Sequence, residues 1–169
     1  MTRTRGRYAV LAVAVLLLAG SAGCDSGGGQ ERATDRTSPV GKVLEDTDED
    51  GSRLREIAHE VAPDVDIEVQ PVGGGQGWEV RLTVEDFSFS PLGTPPEAVA
   101  GRGLARLFVD GRPVADLRTP RHRLTADLMG RGTHHVTARL YADDGTVWAD
   151  DGQPVESTAD VTVSDPGPA

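Results

Sequence analysis

From Asp64 onward, apolar and polar residues alternate almost one for one. Val65, Ile67 and Val69 are separated by Asp66, Glu68 and Gln70, and Trp78, Val80, Leu82 and Val84 interleave with Glu79, Arg81, Thr83 and Glu85. A period of two is the mark of a strand with one buried face. At Asp86 the phase slips, and Phe87 and Phe89 continue in the opposite register. Such a slip predicts a bulge that turns the strand. Ala105, Leu107 and Val109 lead into Asp110-Gly111 and then Val114 to Leu117. Asp-Gly between two such runs predicts a tight hairpin. Val136, Ala138, Leu140 and Ala142 form another alternating run, and Ala159, Val161 and Val163 a last one. About seven short strands with Gly and Pro punctuation over roughly 100 residues predict an all-β fold. The expected architecture is an immunoglobulin-like antiparallel β-sandwich over residues 63–165, followed by a tail at 166–169. One apolar face per strand supplies one core, and so one domain.

The pattern is weaker before this point. Residues 24–62 read as a flexible acidic tether, with a Gly-rich opening at Ser26 to Gln30 and few large apolar residues up to Asp50. Within it, Leu54, Ile57, Ala58 and Val61 fall at helical spacing after Ser52. That predicts a short helix over 52–61 with Ser52 as its cap.

The N-terminus carries an address. Arg3, Arg5 and Arg7 precede an unbroken apolar run from Tyr8 to Ala19, and Gly20 to Gly23 are small residues before Cys24. This order is that of a secretory signal peptide over residues 1–23. The run has 12 residues, whereas a spanning helix needs about 20. Ser21-Ala22-Gly23-Cys24 resembles the lipobox of bacterial lipoproteins. The resemblance implies that the Cys24 thiol receives a lipid and that the chain is cut just before it. The mature protein would then sit on the extracytoplasmic face of the cell membrane, with the lipid as its contact to the bilayer. The alternative is an ordinary signal cut after Ala22. Cys24 is the only cysteine, so no internal disulfide is expected.

Charge narrows the partners. The precursor has 17 basic and 27 acidic residues. Loss of the three signal arginines leaves 14 bases against 27 acids, a net charge of −13. That balance argues against nucleic acid as a partner and against lying flat on anionic lipid.

Chemistry-bearing patterns are sparse. Asp46, Asp48, Asp50 and Gly51 match the opening of a calcium loop, but Ile57 stands where the loop requires its bidentate Glu. Solvated acidic residues are the favoured reading there. The histidines are His59, His122, His134 and His135. Neighbouring residues of a regular strand point to opposite faces, so His134 and His135 are not expected on one ion. His134, just after Gly130 and Gly132, is expected to hydrogen-bond that turn. Ser88, Ser90, Ser157 and Ser164 lack a nucleophile-elbow motif, and Gly73, Gly74, Gly75 and Gly77 lead into a strand rather than a phosphate-binding helix.

From about Leu54 to Val163 the chain resembles an uncharacterised family of exported bacterial β-sandwich domains. The resemblance rests on Gly77-Trp78-Glu79-Val80, Phe87-Ser88-Phe89-Ser90-Pro91, and Ala100 to Gly103 running into Leu107 to Gly111. It continues through Gly132-Thr133-His134, Val147-Trp148-Ala149 and Asp151 to Val155. In that family the third stretch has the form Gly-His-Ala-His-Leu-Tyr-Val-Asp-Gly, and two further histidines complete what looks like a metal site. Those four positions fall here at Leu104, Arg106, Arg123 and Gly145. The resemblance thus implies a kept scaffold with its imidazoles replaced. It also implies that Arg106 and Arg123 lie near each other, where they could hold a carboxylate or phosphate. The competing expectation is that each pairs with Asp143 or Asp144.

The expectation drawn from these residues is a lipid-anchored envelope β-sandwich that binds or scaffolds, with an envelope protein as a possible partner, no cofactor and no catalytic set. A metal-handling protein of copper type, using His122 and His135, is the alternative. An envelope hydrolase is a second one. The address is directly testable: Cys24→Ala should release the protein from the membrane fraction or leave it uncleaved. A correctly cleaved variant that still fractionates with the membrane would contradict the lipoprotein assignment.

Overall fold

The computed structural model describes residues 40–164. The chain runs through β1 (Lys42–Thr47), β2 (Arg53–Glu56), β3 (Asp64–Pro71), β4 (Trp78–Glu85), β5 (Ser88–Phe89) and β6 (Arg102–Val109). It continues with β7 (Arg112–Leu117), β8 (Arg121–Leu124), β9 (Gly132–Tyr141), β10 (Val147–Asp150), β11 (Gln153–Pro154) and β12 (Glu156–Val163). Single 3-10 turns at His59–Val61, Gly73–Gly75 and Ala126–Leu128 complete the described secondary structure. Residues 1–23, Cys24 and the tail 166–169 lie outside the described residues.

The strands form two sheets that pack as a β-sandwich, the expected fold class. The large sheet follows the order β1-β2-β10-β9-β6, with β12 added on β9, β7 on β6 and β11 on β10. The small sheet is β3-β4-β8. Most neighbours are antiparallel; β2 with β10 and β5 with β6 are parallel. The phase slip after β4 marks a change of sheet. Asp86 takes a left-handed backbone with φ 50°, and the chain leaves the small sheet to lay β5 beside β6. Phe87 and Phe89 then pack edge to face, 5.4 Å apart, against the main core. The Asp110-Gly111 hairpin forms as expected, with both φ values positive at 49° and 75°.

Between the sheets lies a core in which Val80, Leu107, Leu124, Val136, Leu140 and Trp148 have no exposed surface. The opposite face of the large sheet carries a second apolar cluster of Leu54, Phe108, Tyr141, Val147 and Ala149, with Leu44 and Leu104 packed on it. Strict alternation assigns these faces: Phe108 is the out-of-phase neighbour of Leu107, and Tyr141 of Leu140.

Two expectations need correction. Residues 42–56, read as tether, form the β1–β2 hairpin of the large sheet. The segment 52–61, read as a helix, is strand β2 followed by one 3-10 turn, and Ala58 rather than a capping Ser52 precedes that turn. Leu54 and Ile57 are both buried, but in the two different clusters. Their spacing of three therefore reflects a strand that ends in a bend, not one helical face.

Trp78 starts the inward row of β4 as expected, yet it is only partly buried, at the rim of the core. Trp148 is the fully enclosed tryptophan, and its Nε1 has no hydrogen-bond partner. An unpaired buried donor costs about 1–3 kcal/mol, while the ring's volume is what the core needs. Trp148→Ala should therefore lower unfolding stability by about 3–5 kcal/mol, and Trp148→Phe by much less. Equal losses for the two variants in chemical denaturation would contradict this packing.

Candidate functional site

The strongest polar cluster lies on the outer face of the large sheet. Arg139 of β9 is only 6% exposed. Its Nε donates to Glu156 Oε2 at 2.5 Å, and its Nη1 to Asp48 Oδ2 at 2.8 Å. Asp50 Oδ2 stands farther off, at 3.4 Å. Beneath the guanidinium lies the Phe108 ring, 5.0 Å to its centre. Burial works against the charge of Arg139. The bonds and charge of Glu156, then of Asp48, outweigh it and raise the pKa further above its ordinary value.

Asp48 also answers the calcium-loop question. Its Oδ1 accepts the backbone N–H groups of Asp50 and Ser52, and its Oδ2 accepts Arg139 and the Tyr141 hydroxyl. With four donors and a side chain only 1% exposed, this carboxylate is spent. The cation that the acidic loop holds is Arg139.

A second cluster closes the end of the sandwich near β5. Asp143, after β9, accepts the buried Ser90 hydroxyl at 2.5 Å and Arg118 Nη1 at 3.1 Å, with Arg102 Nε 3.6 Å away. Asp144 pairs with Arg55 at 2.6 Å. Burial opposes the Asp144 charge, but the Thr146 hydroxyl and amide, with Arg55, hold its pKa below the usual carboxylate range.

The family-derived positions are not gathered. Arg106 binds Asp116 through two bonds of 2.6 and 3.1 Å and lies over the Tyr141 ring. Arg123 donates to Gln76 Oε1 at 3.0 Å. Arg106 shares the outer phase of β6 with Leu104 and Phe108, while Arg123 alternates with buried Leu124 on the small sheet. The two arginines therefore project from the outer faces of opposite layers, because the chain changes sheets between β7 and β8. Neither pairs with Asp143 or Asp144, whose partners are Arg118, Arg102 and Arg55. Gly145 sits in the β9–β10 turn with φ 85°.

The histidines are likewise separated. His122 lies on the inward phase of β8, opposite Val80. His135 points outward from the large sheet to Asp160 Oδ1, at 2.7 Å. These two cannot share one ion. His134 holds its turn as expected: Nε2 lies 2.9 Å from the Gly130 carbonyl and Nδ1 lies 2.7 Å from Asp110 Oδ2. His59 Nδ1 meets Asp150 Oδ2 at 2.5 Å, beside Glu56 and Asp151, a carboxylate group the sequence did not suggest. Both Glu56 oxygens are engaged there by the backbone N–H groups of Asp151 and Gly152, so its role is to fix the β10–β11 turn.

A cleft of about 510 Å3 opens at one end of the sandwich. It lies between the glycine turn that joins β3 to β4, the β8–β9 loop and the end of β12. Val72 and Trp78 form one side, Met129 a second, and Thr162, Val163 and Ser164 the third. Gly74, Gly75 and Gly77 have positive φ values of 78°, 69° and 114°. At Gly77 a Cβ would stand 2.1 Å from the Leu124 carbonyl oxygen, so only glycine brings Trp78 this close to β8. Among the described residues, no charged side chain lines the cleft, although 26% of the chain is charged.

Comparisons with family models, curated proteins and solved structures gave no match to this chain.

Proposed function

We propose that this chain is a lipid-anchored binding protein, held through Cys24 on the extracytoplasmic face of the cell membrane. Its ligand is an uncharged, largely apolar small molecule taken into the cleft beside Trp78. The observation that carries this reading is that, among the described residues, no charged side chain lines the cleft of a strongly acidic protein. An apolar lining with a few polar groups is typical of small-molecule sites, and the volume lies within their usual range of roughly 300–1,000 Å3. Trp78 offers a partly exposed aromatic ring, Met129 packs beneath the cleft floor, and Ser164 lies at the rim. Binding rather than catalysis is further supported by the polar clusters. Ser90, Asp143, Asp48 and Arg139 are each engaged by structural partners. The anchor places the site at the membrane surface, where apolar molecules concentrate.

A neutral fluorescent probe, N-phenyl-1-naphthylamine, tests the site on the mature chain. It should bind saturably with one-to-one stoichiometry, and Trp78→Ala should weaken it by about tenfold, the loss of a well-packed aromatic contact. Saturable binding unaffected by Trp78→Ala, or none at all, would contradict the reading.

A further inference from the structure

We infer that His134 is a pH-dependent latch on the β8–β9 loop, so that the cleft beside Trp78 is fully formed when this imidazole is protonated and loosened when it is neutral. The inference rests on the cleft reading above and adds its regulation. Its geometric basis is that both ring nitrogens of His134 face acceptors. Nε2 lies 2.9 Å from the carbonyl oxygen of Gly130, and Nδ1 lies 2.7 Å from the carboxylate of Asp110. Neither acceptor carries a proton to give while Asp110 is ionised, so both bonds exist together only in the imidazolium. A neutral ring keeps one of them and turns a lone pair toward the other acceptor.

The latch joins three elements. Asp110 sits in the β6–β7 hairpin turn with φ 49°, and its Oδ1 also accepts the His135 amide. His134 stands near the start of β9, and Gly130 lies two residues before that strand in the β8–β9 loop. That same loop carries Ala126 and Met129 into the cleft wall. Met129 is 2% exposed and packs in the core directly before Gly130, so the Gly130 bond fixes the backbone beside this wall residue. Releasing that bond loosens the backbone next to the cleft wall without unfolding the sandwich.

The surrounding charges agree with this direction. The bond to Asp110 first, and the Gly130 carbonyl second, raise the pKa of His134 above its ordinary 6.5. The same bond, with the His135 amide, lowers that of Asp110. On β9 itself, His135 is paired to Asp160 of β12. Arg112 of β7 and Asp127 of the loop border a neighbouring hollow of about 410 Å3 with Asp110. The Thr125 hydroxyl holds Asp127 below the usual carboxylate range, and Arg131 completes the loop's charged groups. Because the folded pKa of His134 is raised, the latch is whole below about pH 6.5 and is lost as the pH rises through the higher folded value. Asp110, with a lowered pKa, stays ionised throughout that window.

Hydrogen exchange and probe binding on the mature chain, at pH 5.5 and 8.5, test the latch separately from the cleft. After correction for intrinsic exchange, amides of 126–131 should exchange roughly three- to tenfold faster at the higher pH, the range one hydrogen bond supports. N-phenyl-1-naphthylamine should bind more weakly at that pH by a similar factor. His134→Gln, which can donate to Gly130 but cannot titrate, should remove both pH effects while leaving the fold intact by circular dichroism. Loop exchange that is the same at both pH values, or a pH effect that survives His134→Gln, overturns the latch. A probe that binds at neither pH overturns the cleft reading instead, and with it the coupling, whatever the loop exchange does.

Discussion

A guanidinium buried on the outside of a sheet sets the terms for much of this structure. Arg139 lies on the face of β9 that points away from the main core, yet it is only 6% exposed. A buried charge is tolerable only when its hydrogen-bonding groups are met, and breaking such a pair leaves an uncompensated ion. Glu156, its neighbour on β12, meets one side. The other acceptor comes from Asp48, 91 residues earlier in the chain. The β1–β2 hairpin must therefore reach across to β9. In doing so it lays Leu44 and Leu54 beside Phe108, Tyr141 and Val147 and closes a second apolar cluster. Asp48 is suited to this because its other oxygen orders the hairpin's own turn through two backbone amides. One carboxylate thus folds a loop and caps a charge.

The rest of the molecule repeats this use of ionic groups as fasteners. Asp143 joins β5, β6 and the end of β7 through Ser90, Arg102 and Arg118. Asp144 ties the β9–β10 turn to Arg55, and Glu56 holds the next turn by its amides. His134 does the same for the loop beside the cleft. A strongly acidic sequence with few aromatic residues folds around these pairs, and the cleft at the glycine-turn end has no charged side chain among its described residues. The proposed binding site is in that sense the complement of the ionic network.

The strands of the sandwich were legible because a single buried face imposes a period of two. That is why β3, β4, β6, β9 and β12 match the alternation, and why the slip at Asp86 could be seen. The β1–β2 hairpin was not legible. Lys42–Thr47 has only two apolar residues, and its acidic turn looks solvated until Arg139 is placed beside it. The signal that binds it is a charge pair across 91 residues, which no local pattern can display. Trp148 was obscured for the opposite reason. Val147, Trp148 and Ala149 are all fully enclosed, so β10, apolar on both faces, shows no alternation. Of the candidate residues, His134 could be placed from its glycine-flanked turn. Arg106 and Arg123 could not, since the change of sheet after β7 sends them to opposite layers. The cleft draws its walls from segments scattered between Pro71 and Ser164, and only the fold brings them together.

The β1–β2 hairpin belongs to the folded domain through the pairing of Asp48 with Arg139. Backbone amide exchange across residues 43–56 of the mature chain tests that most directly. The hairpin amides should be protected over minutes or longer in the wild type, and Asp48→Ala should remove that protection while leaving β9 slow to exchange. Complete exchange of this segment in the wild type at the rate of an unstructured chain would contradict the account and return residues 42–56 to the role of a tether.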